Sequence, residues 1–79
     1  MKTFGETYNP IIQCALNNKK REGLNKIRDV AEDYQKRYPK KYRTMNEAIE
    51  QVEDNLAYYA GYYSDSIIDK VKDFYKIRR

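Results

Sequence analysis

The sequence predicts an all-α fold, a small bundle of three to four short helices, and three observations carry that prediction. Apolar residues recur at spacings of three and four along most of the chain, the spacing of a helix that buries one face. Residues that start and stop helices bracket these stretches. No stretch alternates apolar and polar residues strictly, as a half-buried strand does, and there is no internal repeat. At 79 residues the chain has room for one small helical domain spanning 1–79.

The core material is unusual. Ile, Leu, Val and Phe together make up only 15 of the 79 residues, a fraction typical of disordered chains. Nine tyrosines offset the deficit. A buried tyrosine takes a large ring out of water but keeps a hydroxyl that needs a partner or a wet edge, so a tyrosine-rich core is shallow and open at its rim.

The first helix is expected over about 10–21. Asn9 can cap it and Pro10 suits the first helical position, where its missing N–H would be unpaired anyway. Ile11, Ile12, Ala15 and Leu16 form its apolar side, and Gly23 is the expected stop. A second helix over about 24–38 carries Leu24, Ile27, Val30, Ala31, Tyr34 and Tyr38 on one face. Pro39 ends it by pushing the residue before it out of helical geometry. Thr44-Met-Asn-Glu47 then reads as a capping box, opening a helix over about 45–62 whose stripe is Met45, Ala48, Ile49, Val52, Leu56, Tyr59 and Tyr63. Beyond Ser64 the apolar phase rotates, and Ile67, Ile68, Val71, Phe74 and Tyr75 define a fourth helix over about 65–77. Asp65 and Asp69 suit its N-terminus, and Lys76, Arg78 and Arg79 suit its C-terminus. One long helix kinked near Gly61 is the alternative for this C-terminal half.

Bulk properties exclude several function classes. A single cysteine, Cys14, cannot form an internal disulfide, and without histidine the usual zinc ligand sets cannot be assembled. Cys14 reads as a small core residue, since nothing near it in sequence would depress its pKa. The N-terminus lacks the apolar stretch of a signal peptide and no run approaches the ~20 residues of a membrane span, which predicts an intracellular, cytoplasmic chain with no membrane partner. There is no histidine base, no Gly-rich phosphate loop and no serine or cysteine beside an activating group. We therefore expect no enzymatic activity, no cofactor and no metal. Glu47, Glu50 and Asp54 share one side of the third helix, but that side faces away from the apolar stripe and lacks the histidine of helical di-iron sites.

Charge is unevenly spread. Residues 1–44 carry 11 basic and 5 acidic groups, whereas residues 45–79 carry 5 basic and 7 acidic. Two candidate surfaces follow. Tyr58 and Tyr62 fall about 100° round from the stripe of Tyr59 and Tyr63, on a polar side of the third helix. They either rest on a neighbouring helix or stand exposed as an amphipathic contact patch. With Glu50, Glu53 and Asp54 upstream, an exposed pair would suit a basic protein partner. On this reading the chain is a non-enzymatic interaction module, an adaptor, regulator or inhibitor that occupies a partner's surface. The second surface is the segment 36–43, where Lys36, Arg37, Lys40, Lys41 and Arg43 would neutralise phosphates while Tyr38 and Tyr42 stack on bases. That is the nucleic-acid-binding alternative. A homodimer is compatible with both, the basic segment of one copy meeting the acidic, tyrosine-bearing side of another.

Overall fold

The computed structural model describes residues 3–77. Four helices run in the order α1 (Phe4–Leu16), α2 (Lys20–Arg37), α3 (Met45–Ala60) and α4 (Asp65–Tyr75), with no strand among the described residues. The expected small all-α bundle is therefore the fold. Every pair of helices touches, α2 with α3 and α1 with α2 most extensively, within an envelope of 35 × 26 × 21 Å.

The helix ends differ from those expected, and the differences have local causes. α1 begins six residues earlier than Pro10 because Thr3 caps it: the Thr3 Oγ1 accepts from the Glu6 N–H at 3.1 Å and donates to the Glu6 carboxylate at 3.1 Å. Pro10 lies inside the helix. α1 ends at Leu16, not 21, because Asn18 turns left-handed (φ 58°). The Lys19 and Asn18 N–H groups return to the Cys14 and Ala15 carbonyls at 2.8 and 3.3 Å, closing a Schellman motif with asparagine in glycine's usual place. Gly23 is consequently no stop. It sits buried in the first turns of α2, where the absence of a side chain lets the Tyr75 ring lie against the backbone. Leu24, placed on the core face by its spacing, is 44% exposed.

α2 stops at Arg37, next to the expected limit before Pro39. Thr44 caps α3, accepting from the Glu47 N–H at 3.2 Å. The Glu47 carboxylate accepts from the Thr44 hydroxyl at 3.3 Å, rather than from the Thr44 backbone. α3 closes at Ala60 in short i→i−3 bonds from Gly61, Tyr62 and Tyr63 to Tyr58, Tyr59 and Ala60. Ser64 then caps a separate α4 through the Ile67 N–H, so the kinked single helix is not formed. Tyr63, expected in the core, is 42% exposed because it lies past the end of α3, where helical phase no longer governs direction; its hydroxyl donates to the Asn9 side-chain oxygen Oδ1. α4 ends at Tyr75 and not 77. Lys76 turns left-handed (φ 58°) and the Ile77 N–H bonds the Lys72 carbonyl at 2.8 Å. Arg78 and Arg79, expected to complement that terminus, lie outside the described residues.

The core is Ile11, Ile12, Ala31, Ala48, Val52, Leu56, Ala60 and Val71, all fully buried, closed by Tyr8, Ile27, Tyr75 and Ile77. Two of these are tyrosines, Tyr75 on the stripe expected for the fourth helix and Tyr8, which precedes the first helix as expected from sequence. The Tyr75 hydroxyl donates to the Ile11 carbonyl at 2.6 Å, tying α4 to α1. The Tyr8 hydroxyl meets that of Tyr34 at 2.8 Å, and the Asn55 amide donates to both at 3.1 and 3.2 Å. Gln51 in turn donates to the Asn55 carbonyl oxygen at 2.9 Å. This bonded chain joins α1, α2 and α3 at the edge of the core, which is how a tyrosine-rich interior satisfies its hydroxyls.

Candidate functional site

Tyr58 and Tyr62 stand exposed at 67% and 72%. Of the two arrangements open from sequence, resting on a neighbouring helix is excluded. Tyr62 lies two residues past the end of α3, and the tight i→i−3 turn there keeps it over Tyr58. The two rings meet edge to face, centroids 5.8 Å apart at 81°, and their hydroxyls are 3.4 Å apart, too long for a strong O–H···O bond. That neighbouring hydroxyl is the main reason the Tyr62 phenol is raised above its ordinary pKa.

Beneath this pair lies a second aromatic layer. Tyr59, half-buried, contacts Tyr62 at 5.7 Å, Tyr63 at 6.0 Å and Phe4 at 5.2 Å between centroids. Phe4 in turn packs on buried Tyr8 at 4.6 Å and is itself 42% exposed. Phe4, Tyr58, Tyr59 and Tyr62 line a shallow depression of about 420 Å³. Phe4 belongs to the site and was missed from sequence because the first helix was begun at Pro10; the box Thr3-Phe-Gly-Glu6 is the signal that places it on α1.

The acidic residues divide. Glu50 and Asp54 are exposed and lie two turns and one turn before Tyr58 on the same ridge of α3. Glu53 is half-buried and, five residues before Tyr58, lies about 140° round the helix from it, so the structure does not bring it to the patch.

The basic segment also divides. Lys36 follows buried Ile27 by nine residues, which puts it about 180° away on the outer side of α2. Arg37 is engaged by Asp33 at 3.1 Å. Lys40, Lys41 and Arg43 are exposed in the α2–α3 connection. Tyr42 stacks on Tyr34, centroids 5.8 Å apart at 23°, with Lys41 Nζ 5.5 Å from its ring centre. Tyr38 is 54% exposed and edge-on to Tyr42 at 6.3 Å. Tyr34, Tyr38, Lys41, Tyr42, Gln51 and Asn55 line a groove of about 310 Å³. Gln51 and Asn55 of α3 are the groove's far wall.

Elsewhere the chemistry is quiet. Cys14 is buried, as its small-core reading requires. Burial first, and then the Glu22 carboxylate 3.8 Å from its sulfur, raises the thiol pKa, which holds it in the unreactive protonated form. Among the described residues no cluster of three or more acidic, cysteine or histidine side chains is placed to hold a metal, and no helix is long and apolar enough to cross a membrane. Comparison with models of known families, with curated proteins and with solved structures gave no match.

Proposed function

We propose that this chain is a non-enzymatic protein-interaction module, an adaptor, regulator or inhibitor, that docks the aromatic patch of Phe4, Tyr58, Tyr59 and Tyr62 onto a partner. The observation that carries this reading is the exposure of Tyr58 and Tyr62 on top of a braced aromatic layer. A lone exposed ring is ordinary on a protein surface. Two rings held against each other, with Tyr62 also against Tyr59, are different, because their rotamers are already restricted and little entropy is lost when a partner covers them. Tyrosine is also the residue type that concentrates binding energy at interface centres.

Glu50 and Asp54, on the same ridge, favour a partner with a basic rim and would act mainly on encounter rate and specificity. The basic segment 36–43 of a second copy is one such surface, so a homodimer falls within the proposal. The test is capture from a native extract with tagged chain, its molar mass measured in parallel. Tyr58→Ala with Tyr62→Ala should abolish capture or self-association while the variant still melts cooperatively. Glu50→Lys with Asp54→Lys should slow association. Undiminished capture by the tyrosine variant overturns the assignment of the patch.

A further inference from the structure

We propose that the groove between the C-terminal end of α2, the α2–α3 connection and α3 binds one base of a single-stranded nucleic acid, stacked on Tyr38 and read at its edge by Gln51. The groove shares no lining residue with the aromatic patch, so this stands independently of the patch's docking to another protein, whereas a homodimer through segment 36–43 would compete with it.

Three kinds of group converge there. The first is an exposed ring: Tyr38 is 54% exposed, and Tyr42, stacked on Tyr34, meets it at 78° and does not lie flat on it. Base stacking on such a ring is sequence-tolerant and is a main source of affinity for single strands. The second is an amide. Asn55 is fully engaged, accepting from Gln51 and donating to Tyr8 and Tyr34, and so it forms a fixed floor. Gln51 gives Asn55 one N–H and keeps a second N–H and its carbonyl oxygen. One donor beside one acceptor is the pattern that the edge of an unpaired base presents.

The third is charge. Residues 35–43 hold five basic groups and no acid, but the structure removes two of them from the groove, Lys36 by its side of the helix and Arg37 by its ion pair with Asp33. Lys41 lines the groove, with Lys40 and Arg43 exposed in the same connection. Glu47, Glu50 and Asp54 are exposed on α3 within about 100° of Gln51, and these repel phosphates. The phosphates therefore follow the connection while the base turns inward towards Gln51. A duplex cannot satisfy this arrangement, since its bases are already stacked and paired.

The experiment is fluorescence anisotropy of the full chain with labelled twelve-nucleotide RNA and DNA single strands, the matching duplex, and a twelve-residue polyglutamate. The single strands should bind at least about tenfold more tightly than the duplex. Three phosphate contacts should give a log–log salt slope of about −2. Tyr38→Ala and Gln51→Ala should each weaken binding about tenfold, Lys40→Glu with Lys41→Glu should abolish it, and Lys36→Ala should change nothing. Circular dichroism melting of each variant separates these effects from unfolding. Equal affinity for the duplex, full affinity in the Tyr38→Ala variant, or polyglutamate binding as tightly as RNA would overturn the proposal, the last in favour of an acidic protein segment.

Discussion

Tyr8 is the residue on which three helices converge. It is buried, 1% exposed, and its hydroxyl is bonded to Tyr34 and Asn55. Tyr8→Phe keeps the ring but strips the hydroxyl, and should cost about 1–2 kcal/mol, read by urea unfolding. Burial raises the phenols of both Tyr8 and Tyr75 above their ordinary value of 10.0. In the unfolded chain both ionise near pH 10, while the folded chain keeps its protons. Stability is therefore complete below pH 10 and falls as pH rises above it, by up to about 1.4 kcal/mol per pH unit for each phenol. Unfolding titrations from pH 9 to 11.5 should show this fall, and Tyr75→Phe should flatten it. Gly23 is the complementary case. Alanine there would raise helix propensity by about 1 kcal/mol, but its methyl would lie 2.9 Å from two ring carbons of Tyr75, a ring anchored to the Ile11 carbonyl. Gly23→Ala should thus destabilise by about 1–3 kcal/mol, the opposite sign to that expected at an exposed helical glycine.

The helices were legible in their centres and much less so at their ends. Val52 and Leu56 of α3, and Ile27 and Ala31 of α2, follow the spacing of three and four into the core, because a buried stripe repeats with the helix period whatever its ends do. Ends depend on single backbone conformations. Asn17-Asn18 carries no mark in the pattern that Asn18 turns left-handed and Leu16 closes α1. Lys76 does the same for α4 with a residue whose side chain disfavours that conformation. Relief of that strain gives an element-level prediction: Lys76→Gly should stabilise the protein by about 1 kcal/mol, visible as a raised Tm. Errors at the ends then moved whole residues between core and surface. Starting the first helix at Pro10 hid Phe4 and Tyr8, and running the third helix to 62 put Tyr63 in the core.

Across the whole molecule both candidate surfaces draw on α3, the basic groove through Gln51 and Asn55 in its middle and the aromatic patch through Tyr58 and Tyr59 in its last turn and Tyr62 just beyond. Sequence phase set Tyr58 and Tyr62 apart from Tyr59 and Tyr63, which matches half-buried Tyr59 because helix geometry still governs residues 58 and 59, but fails at Tyr63, itself 42% exposed past the end of the helix. It was silent on Phe4 and on the Gln51–Asn55 wall, since both depend on contacts between residues distant in the chain. What separates a docking surface from spare core is that removing it harms binding and spares the fold. The direct measurement is the affinity of the captured partner for wild type and for Tyr58→Ala with Tyr62→Ala, by titration calorimetry, beside the stability of each. The predicted result is binding weakened about 100-fold or more with unfolding free energy lowered by less than about 1 kcal/mol. Unchanged affinity, or a stability loss of about 3 kcal/mol or more, would contradict it and return both rings to the core.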